Sequence, residues 1–283
     1  MSVYVSTGGF YNLSADKTTE QFVKENIKFI ELSGGLYSKD LIINLSKYLE
    51  AGVKFQIHNY FPPPKNPFIL NLASDDKNIR EQSLNHVMNS LKCCEILKSN
   101  FYSFHAGFLC DFSISEIGKK IKKRKLNDRN KSKDIFNKSL EKISKVASDL
   151  NINLMIENNV LSKKNFLEFN SNPFLMCDTK ETVEIMKNSP KNINLLVDVA
   201  HLRVSSNSLG FDPKNFFLEC DDYIVGYHLS DNNGLADTNE KINQNSWFWN
   251  YLKKGVDYIS LEIYGEKVSE LNKIKSLTEN KCN

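Results

Sequence analysis

No apolar run in the 283 residues approaches the ~20 that a membrane-spanning helix needs. The opening Met1-Ser2-Val3-Tyr4-Val5 lacks the basic-then-apolar shape of a signal peptide, so a cytoplasmic location is expected and no membrane partner. Charge of one sign is also missing: 37 Lys and Arg against 34 Asp and Glu leave a net charge of +3, which makes no case for a polyanionic partner. The six cysteines (Cys93, Cys94, Cys110, Cys177, Cys220, Cys282) show no CxxC spacing, which argues against both a thiolate zinc site and a disulfide framework. They read as reduced core thiols. Histidine is scarce, with five in the chain, so where they fall carries information.

Ile193 to Val197 is a short apolar, β-prone run that stops on Asp198, and His201 follows three residues later. The pattern recurs: Lys54-Phe55-Gln56-Ile57 runs into His58, Phe101-Tyr102-Ser103-Phe104 into His105, and Ile152-Asn153-Leu154-Met155-Ile156 into Glu157. Tyr223 to Tyr227 runs into His228, and Tyr258-Ile259-Ser260-Leu261 into Glu262. Buried parallel strands read as apolar runs of this kind. Six of them thus deliver an acid/base or metal-capable side chain at their carboxyl ends, where α/β enzymes keep their chemistry.

Between the runs lie helical patterns. Lys17 to Asn26 and Ser38 to Glu50 are the first two, the latter stopped by Gly52. Ser74 to Ser99 is a long amphipathic helix that Ser74 can cap, with His86 on its surface or between helices. Asp134 to Leu150, part of Phe174 to Lys187, Asp212 to Glu219, Ser246 to Lys254 and Glu266 to Leu277 complete the set. Val3-Tyr4-Val5-Ser6 and Lys28 to Leu32 bring the strands to eight. Eight strands alternating with helices predict an α/β chain that is a single (β/α)8 TIM barrel over 1–283, with a basic insertion at about 112–133.

Closing such a barrel brings the strand ends to one axis. Glu157, Asp198, His228 and Glu262, from four consecutive strands, then form an oxygen-rich pocket for one divalent cation, Mn²⁺, Co²⁺ or Mg²⁺ rather than a closed structural Zn²⁺ site. Three carboxylates crowded together repel one another unless a cation holds them. His58 and His105 are further metal candidates and would make a second cation site. Tyr60 and Phe108 follow catalytic-side strands and are expected to line the substrate pocket, and Asp231 either touches substrate or orients His228. Arg203 is a candidate for a substrate phosphate, as is the block Lys119–Lys133, which reads more simply as a solvated loop.

The motifs Ile156-Glu157-Asn158-Asn159, Asp198-Val199-Ala200-His201, His228-Leu229-Ser230-Asp231-Asn232-Asn233-Gly234 and Leu261-Glu262 resemble the metal-binding pattern of the xylose isomerase-like barrel superfamily. Ile57-His58-Asn59 and Phe104-His105-Ala106-Gly107 extend the resemblance over nearly the whole chain. That superfamily includes sugar and sugar-phosphate isomerases and epimerases, and endonuclease IV-type nucleases of abasic DNA. In the epimerase branch the resemblance implies a metal on Glu157, Asp198, His228 and Glu262. Glu157 and Glu262 would then pass a proton next to a substrate carbonyl through an enediolate, and His201 would steady a substrate oxygen. In the nuclease branch it implies three zinc ions: the first on His58, His105 and Glu157, the second on the four shared ligands. The third would use His201 with an Asp-x-His pair, where this chain has Asp237-Thr238-Asn239. Asparagine is a poor zinc ligand. The expectation is therefore an isomerase or epimerase of a small carbohydrate, with the nuclease as rival; the sequence is compatible with a homo-oligomer.

Overall fold

A computed structural model describes residues 2–282. Eight strands, β1 (Val3–Ser6), β2 (Phe29–Leu32), β3 (Lys54–His58), β4 (Phe101–His105), β5 (Asn153–Glu157), β6 (Ile193–Asp198), β7 (Ile224–Leu229) and β8 (Tyr258–Leu261), close in chain order into a parallel barrel. The helices on its outside are α1 (Ala15–Lys24), α2 (Leu41–Glu50), α3 (Lys77–Leu97), α4 (Arg129–Asp149), α5 (Lys163–Phe169), α6 (Thr179–Asn188), α7 (Val199–Leu209), α8 (Pro213–Cys220) and α9 (Val268–Cys282). No helix among the described residues is long and apolar enough to cross a membrane.

Alternation along each strand sorts the side chains into two cores. One set, including Val5, Ile30, Leu32, Phe55, Ile57, Tyr102, Phe104 and Leu195, is buried in the main apolar cluster, which also takes in helix residues such as Leu45, Leu91 and Phe136. The other points inward: Tyr4, Phe101, Met155, Leu196 and Tyr258 form a second cluster that plugs the barrel. Above this apolar floor the inward residues become polar, and the carboxyl ends of the strands carry the acids and imidazoles.

The helix boundaries differ from expectation where capping decides them. Asp76, rather than Ser74, caps α3, accepting hydrogen bonds from the backbone N–H of Asn78 and Ile79. The Ser74 hydroxyl donates instead to Asp111 at 2.7 Å. Residues 129–133 of the basic block are the start of α4, where Asp128 accepts from Lys131 N–H. Residues 112–128 hold one 3₁₀ turn at Ile114–Glu116 and otherwise run irregularly. Only Trp249–Tyr251 of the helix expected at Ser246–Lys254 forms, as a 3₁₀ turn. His86 is not on the surface. It is buried and stacks on Tyr60, ring centroids 5.1 Å apart, and burial pulls its pKa down to about 4.

The loop after β4 is packed tightly against the one before α3. A Cβ on Gly107 would lie 2.3 Å from the Ala73 Cβ and 3.0 Å from the Ala73 nitrogen, while the Gly107 carbonyl accepts from Leu175 N–H at 3.0 Å. Gly107→Ala is therefore expected to destabilise the protein by roughly 1–3 kcal/mol, the usual cost of overpacking. Urea unfolding would show it as a lower midpoint at unchanged slope; an unaltered midpoint would mean that the loop yields freely.

Candidate metal centre

The register of the barrel assembles the centre. His105 on β4 pairs with Glu157 on β5, and Asp198 on β6 pairs with His228 on β7, so adjacent strands end at one level with these residues side by side. One ligand atom from each of Glu157, Asp198, His228 and Glu262 lies within 4.8 Å of the others, and all four residues are buried. His58, His105 and Glu157 form a second such set, sharing Glu157 with the first; Glu31, His58 and His228 form a third.

Glu157 stands at the middle. Its Oε2 is 3.4 Å from both His58 Nε2 and His105 Nδ1, and its Oε1 is 3.3 Å from His228 Nδ1 and 3.4 Å from His201 Nδ1. His228 Nδ1 is also 3.2 Å from Glu262 Oε2. Asp198 ends β6 and caps α7, its Oδ1 accepting from His201 N–H at 2.7 Å, which is why the Asp-x-x-His spacing sets the imidazole beside the carboxylate. Asn158 holds this corner: its amide donates to the Asp198 carbonyl at 3.1 Å, its Oδ1 accepts from Asp198 N–H at 2.9 Å, and its carbonyl lies 3.0 Å from His201 Nδ1. Tyr264 donates to Glu262 Oε1 at 3.0 Å.

Several atoms at this centre are buried with no hydrogen-bond partner: Glu157 Oε2, Asp198 Oδ2, His105 Nδ1, Glu31 Oε1 and Asp237 Oδ1. Glu157 Oε2 and His105 Nδ1 are within 3.4 Å of each other yet not angled to bond. Buried polar atoms are normally satisfied. Lone pairs converging on a common space instead of on donors fit a divalent cation, and a mixed carboxylate–imidazole set suits Mn²⁺, Co²⁺ or Zn²⁺.

The crowded charges shift one another's affinity for protons. Burial would raise Glu157, but the imidazoles of His105, His228 and His58 hold it well below the usual carboxylate range. Burial also acts to raise Glu262, which the His228 hydrogen bond and charge hold at about 2. Burial pushes Asp198 up to about 8 against the pull of His201, with Glu157 and Asp237 adding to the rise. Burial would lower His228 and His201. Glu31 and Glu157 instead lift His228 well above its ordinary value, and Asp198 and Asp237 do the same for His201. Burial keeps His105 near 4.

The remaining sequence candidates also have protein partners. Arg203 and Asp231 are paired with each other at 2.6 Å, and Asp231 also accepts from Ser246 at 2.9 Å. No hydrogen bond or ion pair among the described residues joins Asp231 to His228; Glu31 Oε2 faces that histidine, at 2.7 Å from Nε2. Tyr60 is half-buried, its hydroxyl accepting from Phe68 N–H at 2.6 Å, and Phe108 packs among Phe112 and Phe174. His201 Nε2 is 3.2 Å from Asp237, while the Asn239 amide donates to the Glu262 carbonyl at 3.2 Å. In the basic block, Lys120, Arg124, Arg129, Lys131 and Lys133 pair with Glu168, Glu116, Glu181, Asp75 and Glu184 at 2.5–2.7 Å, so much of its charge is answered locally. Sequence reasoning passed over Tyr264, Asn158 and the orienting part of Glu31. Leu32 continues the strand run past Glu31, so that acid does not mark a strand end as the others do.

A family profile described as xylose isomerase-like TIM barrel matches residues 21–275. Among solved structures, a D-tagatose 3-epimerase-like protein superposes with a TM-score of 0.74 at 21% identity, covering 99% of this chain and 97% of that one. D-psicose 3-epimerase of Clostridium cellulolyticum H10, solved with D-tagatose, superposes with a TM-score of 0.64 at 14% identity, covering 97% and 90%. A probable endonuclease 4 of Persephonella marina (strain DSM 14350 / EX-H1) is 43% identical over 54 residues, 19% of this chain and 19% of that protein, so the match spans about a fifth of the relative.

Cation binding at this centre must displace protons from Asp198, held at about 8, and from the raised His228. Affinity for Mn²⁺ is therefore expected to climb as pH rises from 6 to 8, with about two protons released per ion near neutrality. Calorimetric titration in buffers of different ionisation enthalpy measures this; a pH-independent affinity would contradict it.

Proposed function

The chain belongs to the xylose isomerase-like TIM-barrel family, and on that premise we propose that it is a divalent-cation-dependent isomerase or epimerase of a sugar, keto-sugar or related polyol. The observation that carries this reading is the meeting of Glu157, Asp198, His228 and Glu262 within 4.8 Å at the carboxyl ends of four consecutive strands. These four residues would hold the cation, which when bound supplies positive charge that lowers the cost of an oxyanion developing on a substrate carbonyl.

The chain's own groups do the proton work. Glu157 and Glu262, both kept ionised by neighbouring imidazoles, are the acid/base pair that would take a proton from the carbon beside the carbonyl and return it. Tyr264 fixes the Glu262 carboxylate through Oε1. His201 is clamped between Asn158 and Asp237 and brings a positive ring to the rim, where a substrate oxygen would be steadied. Burial of the centre keeps bulk water from competing for these charges. The neighbours named as 3-epimerases support a ketose as the substrate class.

One observation favours a second reading. The His58–His105–Glu157 set offers another cation site beside the first, as a metal-dependent phosphodiesterase of abasic DNA would require. Against it, Asn239 occupies the place of a third-site histidine and bonds the Glu262 backbone.

Solvent-deuterium exchange into D-tagatose or D-psicose tests the proposal. The protein loaded with Mn²⁺ or Co²⁺ is expected to label the ketose. Glu157→Gln and Glu262→Gln should each lower the rate by about 10²–10⁴-fold, the usual contribution of general acid–base catalysis. Full exchange by Glu157→Gln would remove it from the proton path. Chelator-sensitive nicking of abasic DNA without ketose exchange would replace this proposal with the second reading.

A further inference from the structure

His228 uses both ring nitrogens. Nδ1 faces the cation donors Glu157 and Glu262, and Nε2 points the opposite way, down into the barrel, 2.7 Å from Glu31 Oε2. The same Glu31 oxygen accepts a hydrogen bond from the Tyr258 hydroxyl. Glu31 comes from β2, His228 from β7 and Tyr258 from β8, and all three are sealed from solvent. A carboxylate in the floor of a barrel is costly unless its charge is answered. Nothing about packing eight strands requires one: Met155, Leu196 and Tyr4 around it form an ordinary apolar plug.

We propose that Glu31, held by Tyr258, is the positioning residue that sets the ring of His228 so that Nδ1 is presented to the cation. The inference rests on the reading of His228 as a cation donor, and not on the choice between sugar and nucleic-acid chemistry. An ionised carboxylate can only accept, so Nε2 keeps its proton, and Nδ1, facing the site, is the nitrogen left to offer its lone pair to a cation. A ligating histidine whose other nitrogen donates to a carboxylate is fixed in rotation and made more basic. Tyr258 supplies the third link. Gly226 sits opposite it in the strand register, where a Cβ would come within 2.9 Å of both the Tyr258 Cβ and its carbonyl oxygen. The absence of a side chain at 226 thus leaves Tyr258 room to stand under Glu31. Glu31 could itself serve as a donor with His58 and His228 through its unpartnered Oε1, but its Oε2 already takes two hydrogen bonds, and His228 Nε2 would have to give up its proton to join such a set.

Mn²⁺ titration by calorimetry and the visible absorption of bound Co²⁺ test this on the full chain, using Glu31→Gln and Tyr258→Phe, with His228→Ala as the control. Glu31→Gln should bind the same number of Mn²⁺ ions 10–100-fold more weakly, the usual loss when such a partner is removed, and its Co²⁺ bands should move. Tyr258→Phe should shift both in the same direction by less, and it carries the test if Glu31→Gln does not fold. Parental affinity and parental Co²⁺ bands in both variants would overturn the proposal, since packing alone would then orient His228. Loss of a whole equivalent of Mn²⁺ from Glu31→Gln, with the rest bound at parental strength, would overturn it by making Glu31 a donor. If His228→Ala binds Mn²⁺ as the parent does, the reading of His228 as a donor fails first, and the proposal fails with it.

Discussion

Like charges buried at short range are the constraint on which this structure turns. Glu31, Glu157, Asp198 and Glu262 all project into the same sealed volume, and no exposed surface screens them. In such a medium the repulsion between carboxylates is too large to leave unanswered. The chain answers it with imidazoles placed between them: His228 between Glu31, Glu157 and Glu262, and His201 between Glu157 and Asp237. The barrel serves this arrangement, because a closed parallel sheet alone can bring the tips of β2 to β8 together and hold them against the force driving them apart.

The arrangement is stiff for reasons that lie in the backbone as well as the side chains. Asp198 is at once the last residue of β6 and the cap of α7, so moving it would unseat a helix. Asn158 follows Glu157 directly and ties β5 to β6 through three hydrogen bonds that leave neither Asp198 nor His201 free to turn. A preorganised set of donors spends its reorganisation during folding rather than at the moment of binding. The cost appears as unpartnered buried oxygens, on Glu157, Asp198 and Glu31, which a fold selected for stability alone would not retain.

Most of this was legible in the chain because strand ends have a signature. An apolar run that stops on an acid or imidazole fixes both the strand and the level of its last side chain, and for β3 to β8 that sufficed to name six of the residues that meet. Glu31 was harder, since Leu32 continues its run and the carboxylate sits one layer lower, opposite Gln56 rather than His58. Periodicity does not reveal depth within a barrel. Asp231 and Arg203 were candidates at the rim on sequence position, and their pairing with each other could not be read from the chain. The basic block read as a solvated insertion because its acidic partners, Glu168, Glu181 and Glu184, belong to α5 and α6, more than forty residues further on. Long-range pairing of this kind leaves no local pattern.

Glu157 is the residue on which the two proposed chemistries differ. Its two oxygens face different partners: Oε1 toward His228 and His201, Oε2 toward His58 and His105. With cations in both donor sets, each oxygen would face a cation's charge, and the carboxylate would be a weaker base toward a proton on carbon. Two cations held by these residues would supply the charge to polarise a phosphodiester and a nucleophile. With one cation in the Asp198–His228–Glu262 set, Oε2 stays available, and the neutral His105 beside it, kept near a pKa of 4, is no rival for the proton. The number of ions held, more than any difference in fold, would therefore decide how readily Glu157 serves as a base.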